Sequence, residues 1–88
     1  MKNNIYLVYQ NESTGWDSYD SMVVVAPDEK TAKRVDPSTA FDTFMTKHRW
    51  KSNYGSWASS PDNVYVKYLG KADDSQVVGL VLSSFNAG

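Results

Sequence analysis

"MVVVAPDEKTAKRV", residues 22–35, holds the transition that decides the fold. Met22 to Ala26 is β-branched and continuously apolar, the pattern of a strand covered on both faces. Pro27 follows at once and suits the first position of a helix, where a missing N–H costs nothing. Asp28 and Glu29 then fall in the first turn and Lys33 and Arg34 in the last, the signs a helix dipole favours. Ala32 and Val35, three apart, would turn toward the sheet. The stretch predicts a strand and then a short helix over 27–35.

Outward toward the N-terminus, "IYLVY" at 5–9 has the composition of a second strand with both faces covered. The segment between the two strands, "QNESTGWDSYDS", is polar with one glycine, Gly15, and suits a connection between antiparallel neighbours. It is long for a hairpin loop, and loops of that kind are often functional or mobile.

Outward toward the C-terminus, "DPSTAFDTFMTKHRW" at 36–50 offers Asp36 as an N-cap and Pro37 after it. Ala40, Phe41, Phe44, Met45 and His48 then fall at helical spacing, which predicts a helix over about 38–48. Three threonines and an aspartate in the same stretch lower its helix propensity. "KSNYGSWASSPDN" reads as loop, with Gly55 and Pro61 as breakers. "VYVKYLG" at 64–70 alternates as a strand with Val64, Val66 and Tyr68 on one face and Tyr65, Lys67 and Leu69 on the other. "VVGLVLSSF" at 77–85 is the last strand, with Gly79 where a bulge or a close backbone approach would need it. The expected fold class is α+β: a small antiparallel sheet of about four strands with one or two helices on one face. Its order is β-β-α-(α)-β-β, in a single domain over 1–88.

With 88 residues the core is thin, and association with copies of itself becomes an option. The aromatic share of 14% compensates for an apolar share of only 41%, because each ring buries a large area. A net charge of −1 with a pI near 5.6 lacks the basic footprint of duplex binding; "KHRWK" at 47–51 is the one dense basic stretch. There is no cysteine, which excludes disulfide scaffolds and thiolate metal sites. The apolar run after "MKNN" is too short for a signal core or a membrane span, so a cytoplasmic protein without membrane attachment is expected.

Reactive chemistry finds little support. His48 with Asp17 or Asp20 and Ser21 would make a base–acid–nucleophile set, but His48 lies on an apolar stripe and no G-x-S-x-G elbow is present. "DSYD" and the pair Asp73–Asp74 supply oxygen donors without the EF-hand pattern, and there is no histidine pair for zinc. No P-loop or G-x-G-x-x-G occurs. No cofactor, metal or catalytic residue is expected. What remains is the aromatic–polar mixture: Trp16, Tyr19, Trp50, Tyr54 and Trp57 all fall in loops or at element ends. Such rings either fold inward to cap a thin core or form a recognition surface, stacking on a base or docking on a partner.

Three stretches carry a resemblance: "WDSYDSMVVVAPDEKTAKRVDPS" at 16–38, "WASSPDNVYVKYLGKAD" at 57–73, and the terminal "SSFNAG". Together they resemble a group of small phage and prophage proteins in which a Tyr-Asp-Ser loop precedes a Val-rich strand and an acidic helix, and the chain ends in Ser-Phe-Asn-Ala-Gly. The likeness covers roughly 5–35 and 57–88 and leaves 39–55 unmatched; a terminus of this kind suggests that Phe85 and Asn86 are docked. It implies a phage protein that acts by binding. One such role is to sequester a nucleotide-derived immune signal, as anti-defence sponge proteins do, on a compact homo-oligomer whose interfaces complete the pocket. In that role Trp16, Tyr19, Trp50 and Trp57 would stack, Asp17, Asp20 and Asn86 would bond ribose or base, and Arg49 or Lys51 would meet phosphate. Only two arginines, Arg34 and Arg49, argue against a highly charged ligand unless lysines or backbone amides substitute. The other role is a protein–protein inhibitor of a host protein, in which the same rings form a flat patch.

Overall fold

The computed structural model of the chain describes residues 2–38, 43–53 and 55–86. Four antiparallel strands form one sheet: β1 (Asn4–Tyr9), β2 (Ser18–Ala26), β3 (Tyr65–Lys71) and β4 (Gly79–Asn86). Their order across the sheet is β3-β1-β2-β4. The two most apolar segments are therefore the two central strands, but the expected cover on both faces fails for β1: Tyr6 and Val8 face the core while Ile5 and Leu7 are only partly buried and Tyr9 is exposed. β1 and β2 pair from Asn4↔Ala26 to Tyr9↔Ser21, so the strand begun by the Met22–Ala26 run extends back through Tyr19 to Ser18.

Two short helices accompany the sheet. α1 (Glu29–Ala32) begins two residues later than Pro27 would place it, because Asp28 takes the N-cap: its Oδ1 accepts from the Thr31 N–H at 2.8 Å. That bond, with the Lys30 charge beside it, holds the Asp28 carboxyl below its usual range. The helix also ends early, at Ala32. Val35 is needed in extended form, where it bridges Phe44, flanked by bonds from the Asp36 N–H to Thr43 O and from the Met45 N–H to Arg34 O.

This bridge corrects the helix expected over 38–48. Residues 39–42 lie outside the described residues, but Thr43 to Thr46 are not helical. The second helix, α2, is Lys47–Lys51, and its N-cap is Thr46, whose hydroxyl accepts from the Arg49 N–H at 3.1 Å. A low-propensity stretch with threonine near its end gains more by pairing with Val35 and capping late than by coiling throughout.

α1 lies against β1, β2 and β3. Tyr6, Val8, Met22, Val24 and Ala26 from the sheet meet Ala32, Val35, Met45, Trp57, Ala58 and Val64 in one buried cluster. Val64 and Val66 face this core as the alternation predicted, but Tyr68, expected on the same buried face, is 52% exposed on the edge strand, as are Tyr65, Lys67 and Leu69. Gly79 has φ +145, a conformation that side chains rarely adopt, which explains a glycine in the first position of β4. No helix among the described residues is long and apolar enough to cross a membrane.

Candidate functional site

The connection between β1 and β2 is a braced loop. Gln10 is buried, and every polar atom of its side chain is used. Nε2 donates to Ser13 O at 2.6 Å and Tyr19 O at 2.8 Å, and Oε1 accepts from the Glu12 and Ser13 N–H groups at 2.7 Å. Glu12 then reaches the 53–63 loop, accepting from the Ser59 N–H at 3.0 Å, the Ser59 hydroxyl at 3.1 Å and Asn63 Nδ2 at 2.6 Å. The Tyr19 N–H donates to Ser56 O at 2.7 Å. Gln10 and Glu12 were not among the residues singled out from the sequence; polar residues in a polar loop carry no pattern that marks them as its braces.

At the loop's far end, Gly15 to Ser18 form a turn closed by the Ser18 hydroxyl on Gly15 O at 2.6 Å. Asp17 has φ 61, the left-handed region that aspartate tolerates better than most residues. Trp16 precedes it on the tip and is 78% exposed. The Asp17 N–H donates to Asn86 O, which ties the turn to the end of β4. β4 holds Phe85 and Asn86 in the sheet, and Tyr19 meets the Phe85 ring at 4.7 Å. Thr14, Gly15, Trp16 and Asn86 line an open groove of about 380 Å³.

The expected site residues therefore separate into groups. Trp16, Asp17, Tyr19 and Asn86 come together at this corner, with Asp20 as the extra residue of a bulge in β2 against β4. Trp57 does not join them: it is 0% exposed in the core, with its ring closed to any ligand in this structure and its Nε1–H buried without a partner among the described residues. A tryptophan flanked by serines and a proline reads as loop, and only the packing shows that it faces inward. Trp50 is half-buried and packs against the same core. Tyr54 lies outside the described residues.

Arg49 is engaged elsewhere too. Its Nε meets Asp36 Oδ2 at 3.2 Å, and its Nη2 approaches Ser38 Oγ at 3.4 Å. Burial of Asp36, whose side chain is 1% exposed, works to raise its carboxyl. Hydrogen bonds from Arg49 and from the Ser38 N–H and hydroxyl outweigh it and hold the group below the usual carboxylate range. Lys51 is exposed at the end of α2. His48 is exposed on the same helix, and the Ser21 hydroxyl donates to Asp20 Oδ1 at 3.3 Å rather than to a histidine. Among the described residues no group of three or more His, Cys, Asp or Glu side chains could hold a metal ion.

The corner can stack a planar group on Trp16 and offer it the polar atoms of Thr14 and Asn86, without a cation among the lining residues. No protein-family model, no curated protein and no solved structure matches the chain.

Proposed function

We propose that this chain is a phage-encoded, non-enzymatic binding protein that sequesters a small nucleotide-derived ligand, of the class used in host immune signalling, at the Trp16 corner. The observation that carries the reading is an indole 78% exposed on the tip of a loop held by hydrogen bonds at both ends. An exposed tryptophan on a braced turn presents a large flat surface with little further ordering needed on binding. The groove beside it, about 380 Å³, is within the range of small-molecule sites. Its lining favours the base and ribose of such a ligand over its phosphates, since the one arginine proposed for phosphate, Arg49, is committed to Asp36. The phage origin and the defence context rest on the resemblance in the sequence.

The test is native mass spectrometry of the protein purified gently from phage-infected cells, paired with a Trp16→Ala variant. A mass excess of a few hundred daltons on the parent, lost on denaturation and absent from the variant, is the expected result. The reading fails if the variant carries the same excess, or if adenine and guanine mononucleotides and cyclic dinucleotides all leave the parent's tryptophan fluorescence unchanged.

A second reading, inhibition of a host protein through an aromatic patch, is favoured by a separate observation. Tyr9 and Tyr65 stack at 5.5 Å with both rings exposed, and Leu69 is exposed on β3 nearby in sequence. A partner that binds there would be lost with Tyr65→Ala and kept with Trp16→Ala.

A further inference from the structure

We infer that β4 is a self-pairing edge: two copies of the chain join antiparallel along Leu82–Asn86, about a two-fold axis at Ser84, to make one continuous eight-stranded sheet. Among the described residues β4 is an edge strand of the sheet and pairs only with β2. Its outer row of backbone N–H and C=O groups has no hydrogen-bond partner among the described residues. An open edge of this kind is a template for another strand unless charge, proline, brevity or a bulge protects it, and the bulge of β4 lies at Val81, outside the Leu82–Asn86 run.

The two edges of this sheet differ in that respect. β3 carries exposed Lys67 and Lys71, the usual protection. β4, "GLVLSSFN", is eight residues long and has neither a charged residue nor a proline. Its exposed side chains include Val81 at 54%, Leu82 at 67% and Phe85 at 46%. Neutrality matters for the choice of occupant. Two-fold pairing sets the residue on the axis opposite its own copy, so a charge there would repel itself. A strand with no charge is complementary to itself.

The register follows from the bulge. Leu82 faces Val23 and Leu80 faces Val24, so Val81 is the extra residue and the unbroken run begins at Leu82. Centring this run on Ser84 places Leu82 opposite the partner's Asn86, and Ser83 opposite the partner's Phe85. These pairs keep each side chain on its own face of the sheet. Because Trp16 and Asn86 line one groove, the pairing also brings each Trp16 corner beside the partner's Val81 and Leu82. Five paired residues, the apolar side chains of β4 and two tryptophan rings reach the low end of stable interfaces, about 600 Å² per partner. The dimer should therefore be weak and concentration-dependent. The pairing stands on the β4 edge whether or not the groove takes a nucleotide. Where it does, the partner's Val81 and Leu82 supply a wall that one chain lacks.

The chain's lack of cysteine makes the test direct. A Ser84→Cys variant, oxidised under mild conditions, should cross-link to twice the 9.9 kDa chain mass, since opposed residues on antiparallel neighbours lie within disulfide reach. A Tyr65→Cys variant on the other edge should not cross-link. Sedimentation equilibrium of the unmodified protein should show a monomer–dimer equilibrium, and Ser84→Lys should weaken it at least about tenfold. Ser84 is exposed, so neither change should disturb the fold, and a circular dichroism spectrum checks this. A strict monomer at about 1 mM overturns the inference. Equal cross-linking of both cysteine variants overturns it as well, and so does a dimer indifferent to Ser84→Lys.

Discussion

Trp57→Ala and Trp16→Ala remove the same side chain from two loops and should differ in effect by several kcal/mol. Trp57 is 0% exposed and packs with Val8, Met22, Val24 and Val64, whereas Trp16 is 78% exposed. Truncating a buried tryptophan costs about 3–5 kcal/mol, from lost transfer energy and the cavity left behind. One term works the other way: the Trp57 Nε1–H is buried without a partner among the described residues, and its removal returns about 1 kcal/mol, the low end for an unsatisfied donor. The net expectation for Trp57→Ala is a loss of about 2–4 kcal/mol. A chain of 88 residues has about 4–13 kcal/mol in all, so the variant stands near the edge of folding. Trp16→Ala should stay within about 0.5 kcal/mol of the parent. Urea unfolding followed by far-ultraviolet circular dichroism measures both. With a slope near 1 kcal/mol/M, the Trp57→Ala midpoint should fall by about 2–4 M while the Trp16→Ala midpoint barely moves. Equal shifts for the two variants, or a loss below about 1 kcal/mol at Trp57, would refute the assignment of one ring to the core and the other to the surface.

Other consequences follow from single contacts. The Asp36 carboxyl is held below its usual value, so its contribution to stability is complete above about pH 4–5 and is lost as pH falls through the depressed value. Asp36→Ala should lose about 1–3 kcal/mol at pH 7 and flatten the acid limb of a plot of stability against pH; an unchanged acid limb would remove Asp36 as its source. Gly79→Ala forces a side chain into φ +145 and should lose about 1–3 kcal/mol, while Gly15→Ala, with nothing within 4 Å of the added carbon, should change thermal stability little. Glu12→Ala unties the 10–17 loop from Ser59 and Asn63, so amide exchange from 11 to 16 should speed up with the melting temperature almost unmoved; unchanged exchange would mean the brace is not what holds the loop.

Local chemistry in the sequence determined the elements whose cause is local. The apolar runs at 5–9 and 22–26 become the two central strands, and the cap chemistry after Ala26 places a helix there, starting two residues after Pro27 because Asp28 takes the N-cap. Alternation at 64–70 likewise put Val64 inward and Lys67 outward before any packing was known. Three matters were decided only by tertiary structure, because each depends on a partner distant in sequence. Phe44 pairs with Val35 rather than joining a helix, since an extended bridge satisfies backbone groups that low-propensity residues would hold weakly in a coil of their own. Trp16 and Trp57 have the same residue type in equally polar loops, yet one points out and one in. The difference lies in what the sheet and α1 leave for each to fill. The corner at Trp16 exists because the β2–β4 pairing carries Asn86 to Asp17, a contact between residues at opposite ends of the chain that no local pattern encodes.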